Sequence, residues 1–177
     1  MIVLVEGVSD KAAVEALARR RGLDLGAQGI SVVSIGGSRS VNRTLRRLNS
    51  NQPAMKLAGL CDSAEQSMFR VALERADPSA KLYVCEADLE EELIRAMGPD
   101  RVEEVVAQLG ELNSFRSFQK QPAQRGRPVA AQLRRFLGTH SGRKALYARA
   151  LVEAAEESAI PSPLDRLVND LLGGWKP

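Results

Sequence analysis

At 177 residues, 44% of them hydrophobic and 27% charged, the chain has the size and composition of one globular domain with room for a helical extension. No apolar run approaches the ~18 residues that cross a bilayer, and the apolar N-terminal run is short, has no basic region before it and runs into Glu6; neither a membrane span nor a secretory signal is expected, and a cytoplasmic location is. Aromatic residues, at 4%, are too scarce for a base-stacking platform.

The formal net charge is only +3, but it is unevenly placed. Between Leu112 and Val152 there are nine Lys and Arg and no acid, so the rest of the chain carries a formal −6. Such asymmetry suits a polyanionic partner, and equally a solvated basic face.

Taken in order, Ile2-Val3-Leu4-Val5 reads as a strand buried on both faces, stopped by Glu6-Gly7. A helix is expected from Asp10 to the glycine stop at Gly22, with Ser9 as its N-cap. Ser31 to Ile35 is a second strand, ended by Gly36-Gly37, and Ser38 to Leu48 a helix with Leu45 and Leu48 inward. Lys56 to Cys61 forms a third strand ending at Asp62, and a helix follows over Ser63 to Ala76. Lys81 to Cys85 is a fourth strand, and Asp88 to Met97 an acidic helix broken by Gly98-Pro99. The alternation predicts an α/β fold, a small and mostly parallel four-stranded sheet flanked by helices. Beyond it, Arg101 to Leu109, Val129 to Leu137, Arg143 to Glu156 and Pro163 to Leu172 read as helices, and Gln119 to Pro128 as a loop. We therefore expect an α/β domain over residues 1–98 and a basic helical extension over 99–177 packed on it. Cys61 and Cys85 lie in strand-like runs and read as reduced core residues, without the spacing of a disulfide or metal motif.

The chemistry is concentrated where strands end. Glu6, Asp62 and the Glu86/Asp88/Glu90 group come off three of the four strands, at the edge where open α/β sheets bind ligands. Carboxylates gathered there repel one another unless cations neutralise them. Mg²⁺ suits such oxygen ligands, Mn²⁺ takes the same set, and two ions ~3.5–4 Å apart would promote phosphodiester hydrolysis. Each acid alone also has a blander reading: Asp10 as a first-turn dipole residue, Glu90 to Glu92 as a solvated helix face. The single His140 has no Ser and Asp arrangement around it, so a hydrolytic triad is not expected. Gly36-Gly37-Ser38 reads as a simple turn in preference to a phosphate cradle.

These residues carry a resemblance. Val3-Leu4-Val5-Glu6-Gly7-Val8-Ser9-Asp10 resembles the Glu-Gly-x-Ser-Asp opening of a TOPRIM domain, and Leu60-Cys61-Asp62-Ser63-Ala64-Glu65 its Asp-x-Asp strand. Asp88-Leu89-Glu90-Glu91-Glu92-Leu93-Ile94 and Ser141-Gly142-Arg143-Lys144 are similar to segments of the OLD (overcoming lysogenization defect) nucleases. The resemblance implies a TOPRIM-like, Rossmann-like fold and a divalent-metal-dependent endonuclease using one or two Mg²⁺ or Mn²⁺ ions, with DNA a more natural substrate than RNA. Within it Glu6 would be a metal ligand and the general base, Asp10 a ligand of the same ion, Asp62 a ligand or bridge, Glu90 a ligand of a second ion, and Lys144 a stabiliser of phosphate charge. Arg39, Arg127, Arg134, Arg135 and Arg143 are the expected nucleic-acid contacts.

Two departures stand out. Ala64 replaces the second Asp of Asp-x-Asp, leaving Glu65 as the nearest substitute ligand and opening the alternative of an inactive nucleic-acid- or partner-binding module. No nucleotide-binding P-loop occurs, although OLD nucleases carry an ATPase ahead of their TOPRIM part, so an ATPase partner would be a separate chain. A third reading, primase-type nucleotidyl transfer, shares the metals but needs a nucleoside-triphosphate site that the sequence does not show.

Overall fold

The computed structural model describes residues 1–37, 40–49, 55–139 and 142–174. Four strands, β1 (Ile2–Val5), β2 (Ser31–Ser34), β3 (Leu57–Asp62) and β4 (Lys81–Cys85), form one sheet in the order β2-β1-β3-β4. All three pairings are parallel, with Val5 opposite Ser34 on one side and Leu60 on the other. This is the expected α/β fold, its sheet parallel throughout.

Parallel strands need crossovers, and helices supply them. Helices α2 (Val41–Asn49) and α3 (Gln66–Ala76) cover one face, where Leu4, Leu57 and Cys61 meet Leu45, Phe69 and Leu73. Gly59 faces the same layer. A Cβ there would lie 2.7 Å from Leu73 Cδ1 and 2.9 Å from Leu82 Cδ1, so α3 packs directly on the strand backbone. Gly59→Val should destabilise the fold by about 1–3 kcal/mol, read as a lower urea midpoint.

The opposite face packs on α1 (Val8–Arg20), whose small residues Ala13, Ala16 and Ala18 are fully buried. Helix α1 lies between the sheet and α8 (Arg143–Ala154). One apolar core runs from Val3 through Leu17 and Leu151 to Leu171, so it crosses residue 98 without a break. Polar links reinforce it: Arg20 Nη1 donates to the carbonyls of Val152 and Ala155 at the end of α8, and Tyr83 and Lys81 on β4 hold Asp170 of α9 (Ser162–Leu172).

Two local expectations need correction. Helix α1 starts at Val8 with Gly7 as its N-cap, because the Asp10 carboxylate reaches back to accept from Gly7 N at 2.7 Å; Ser9 falls inside the first turn and is buried. A helix that the sequence pattern does not predict, α6 (Leu112–Gln119), follows α5 (Pro99–Gln108). Only Phe115 and Phe118 of α6 are buried, too few for a visible periodicity. Their rings pack with Phe136 at 5.1 and 5.6 Å, and Phe136 with Tyr147 at 6.3 Å, so the scarce aromatics form the core of the helical half. Among the described residues no helix is long and apolar enough to cross a membrane.

Candidate metal centre

Strand order reverses between β1 and β3, and ligands collect at the carboxyl ends of strands at such a point. Glu6 follows β1 and Asp62 ends β3, so pairing in parallel register carries both acids to that edge. Asp10 joins them from the first turn of α1, and Glu90 from the first turn of α4 (Leu89–Met97). Lys144 joins them from the first turn of α8, which Gly142 starts at φ +80, with its Nζ 3.6 Å from Glu90 Oε1. These five side chains, with Ser9, line a cleft of about 500 Å³.

Its electrostatics are those of uncompensated negative charge. Burial, then repulsion from Glu90 and Glu6, pushes Asp10 up to about 7 against the opposing pull of the Gly7 N–H and Lys144. Glu6 is raised as well, first by burial and then by Asp62 and Glu65, although its Oε1 accepts from Asp62 N at 2.8 Å. Glu90 has a side chain only 5% exposed; its Oε1 is buried without a hydrogen-bond partner, and its nearest cation, Lys144 Nζ, stands 3.6 Å away. A buried carboxylate oxygen in that condition is costly. A hard divalent cation would relieve all three strains, so the donor set fits one. Among the described residues, however, no three acid or thiol groups already stand close enough together to hold a metal ion. Mg²⁺ tolerates this, since it is often held by one or two carboxylates with waters and substrate phosphate completing the shell. The buried thiols are poor ligands by comparison: burial pushes Cys61 up to about 12 and Cys85 further.

The remaining expected residues divide. Glu65 precedes α3, where its N–H donates weakly (3.3 Å) to Asp62 Oδ1; it adds to the charge on Glu6 but does not line the cleft. Arg134 is fully engaged: its Nε and Nη2 donate to Asp88 Oδ2 at 3.0 and 2.6 Å, and its Nη1 pairs with Glu91 at 2.9 Å. Asp88 also caps α4, accepting from Glu91 N at 2.8 Å, so Arg134 holds the turn that presents Glu90. Arg143, 15% exposed, pairs with Glu111 at 2.9 Å, donates to Thr139 Oγ1 and lies over the Phe136 ring, so its guanidinium is already partnered within the chain. Arg127 braces its own loop through Ala123 O. Arg135 makes no ion pair among the described residues. Arg39 and His140 lie outside the described residues. Five of the nine cations in the acid-free stretch thus pair with acids from elsewhere in the chain. The Asp88–Arg134 bridge is not legible in the sequence, because nothing there links residues 46 positions apart. Gly36-Gly37 is the turn expected of it, with Gly37 N donating to Glu6 O at 3.1 Å.

Residues 1–63 match the family model for the overcoming lysogenization defect protein-like TOPRIM domain. Among solved structures, the C-terminal region of the Burkholderia pseudomallei OLD protein superposes with a TM-score of 0.61 at 16% identity, covering 97% of each chain. The C-terminal region of the Xanthomonas campestris pv. campestris OLD protein gives 0.63 at 20% identity, over 97% of this chain and 95% of that one. No curated protein matches at a significant level. The first 63 residues are thus similar to the OLD-like TOPRIM domain, and the chain as a whole has the fold of the OLD C-terminal region.

Proposed function

We propose that this protein is a divalent-metal-dependent endonuclease that hydrolyses phosphodiester bonds of DNA. One observation carries the reading: a cleft at the sheet's switch point gathers Glu6, Asp10, Asp62 and Glu90 with their charges unbalanced, and Lys144 lines the same cleft. Glu6 and Asp10 would hold one Mg²⁺ or Mn²⁺ and Glu90 a second, with Asp62 binding or bridging and water or substrate phosphate completing the shells. Such an ion, when bound, lowers the pKa of a coordinated water and offsets charge on the phosphate. Glu6 would also serve as the base that takes a proton from the attacking water, and the Asp62 N–H fixes its Oε1 at 2.8 Å. The Lys144 ammonium, compact and half exposed, faces the developing negative charge on the phosphate oxygens. Phosphate contacts carry no base information, so cleavage would be largely indifferent to sequence.

Supercoiled plasmid incubated with Mg²⁺, Mn²⁺ or EDTA tests this. Nicking is expected with either cation and none with EDTA, and Lys144→Ala should slow it about 10²-fold while keeping the cation requirement. The rival reading, a non-catalytic nucleic-acid-binding module, rests on Ala64 standing where the motif has its second acid. Salt-sensitive DNA binding without nicking in either cation would establish that reading instead.

A further inference from the structure

A second cleft, of about 420 Å³, adjoins the acidic one. Arg134, Arg135 and Gly138, at the end of α7 (Val129–Leu137), form one side; Asp88, Glu90 and Lys144 are shared with the first cleft. The cations around it are not equivalent. Arg134 spends all three guanidinium nitrogens on Asp88 and Glu91, so it is wall. The Thr139 hydroxyl is similarly spent, donating to Phe136 O and accepting from Arg143. Arg135 comes next on the helix, about 100° round from Arg134, and is exposed on the cleft without an acidic partner among the described residues. Lys144 touches both clefts, and its stem is held against Gly138, where a Cβ would lie 3.3 Å from Lys144 Cε.

The first cleft sets five carboxylates against Lys144 and, without a cation, repels phosphate; the second sets Asp88 and Glu90 against Arg134, Arg135 and Lys144, a balance that suits one. We infer that the second cleft is a phosphate subsite of the same DNA strand. Arg135 takes the phosphodiester neighbouring the one held over Glu6 and Asp62, and Lys144 is shared between the two. The inference rests on nucleic acid occupying the acidic cleft, but its own signature is separate: Arg135 contributes to binding when no metal is present. It reads no base, so its contribution is equal across sequences.

Fluorescence anisotropy of a labelled oligodeoxythymidine in EDTA, titrated with the full chain across a series of salt concentrations, is the test. Arg135→Ala should weaken binding severalfold and lower the slope of log affinity against log salt by about one. Arg135→Lys should retain the slope, and Arg125→Ala, a basic change in the loop outside both clefts, should leave affinity unchanged. Equal losses in Arg135→Ala and Arg125→Ala would mean a diffuse basic face and overturn the subsite, as would wild-type binding by Arg135→Ala. Cation-dependent nicking alongside Arg135-independent binding removes the subsite and leaves the nuclease standing. Arg135-dependent binding with no nicking in either metal supports the subsite and removes the nuclease.

Discussion

Glu6→Gln is expected to abolish cation-dependent nicking, by at least about 10³-fold in rate, while leaving the fold intact. The substitution is close to isosteric, and its amide oxygen can still accept from Asp62 N, the bond that now fixes Glu6 Oε1 at 2.8 Å. What it deletes is the negative charge, and with it the metal ligand and base that we propose at this position. It should not unfold the protein, because burial and the neighbouring Asp62 and Glu65 already disfavour that charge. Glu6→Ala removes the acceptor as well, leaving Asp62 N without its partner, so it should lose some stability along with activity. Nicking rates set beside thermal melts by circular dichroism separate the two effects. A Glu6→Gln protein that nicks at the wild-type rate would exclude Glu6 from the chemistry.

That Glu6, Asp10 and Asp62 meet is legible in the sequence, and the reason is topological. An apolar strand with an acid directly after it has one place to put that acid, and parallel pairing of β1 with β3 brings two such strand ends together. Glu90 is legible only as one of a group of acids after β4 and is singled out through resemblance, and Lys144 is reached through resemblance alone, since neither periodicity nor spacing says that the starts of α4 and α8 face the same cleft. The fate of the arginines is hidden for a related reason. Arg134 and Arg135 are adjacent and chemically identical, yet one is tied to Asp88 and Glu91 and the other faces a cleft. Their difference depends on how α7 is rotated against α4, a consequence of packing around Phe136 and Leu133. The blander reading of a basic stretch is half right for the same reason: long-range partners are invisible to a charge count. Helix α6 escapes a periodicity search because two phenylalanines hold it and its remaining surface is polar. The start of α1 is shifted because a side chain three residues inside the helix, Asp10, caps it.

Asp10 ties stability to function, and Asp10→Asn should reveal it. In the folded protein its carboxyl is pushed from an ordinary 3.8 to about 7, mainly by burial and then by Glu90 and Glu6. A value raised by folding means that the folded state binds the proton more tightly than the unfolded chain does. The stabilising contribution is therefore complete below about pH 4 and is lost as pH rises through about 7, where the fold must carry a costly anion. Asparagine keeps an oxygen for the Gly7 N–H and carries no charge. At about pH 8 the variant should be more stable than the wild type by on the order of 3 kcal/mol, since a tenfold difference in proton affinity between the folded and unfolded chain corresponds to about 1.4 kcal/mol, and the advantage should disappear toward about pH 4. Mg²⁺ should reverse the ranking. It should bind the ionised cleft and stabilise the wild type by mass action above neutral pH, and do little for the variant, whose nicking should also fail. Urea unfolding at the two pH values, with and without Mg²⁺, measures all of this. If Asp10→Asn is no more stable than the wild type at about pH 8 without metal, the carboxylate is not the strained group that makes this cleft receptive to a cation. If it is more stable yet inactive, the protein gives up stability at Asp10 in order to bind its metal.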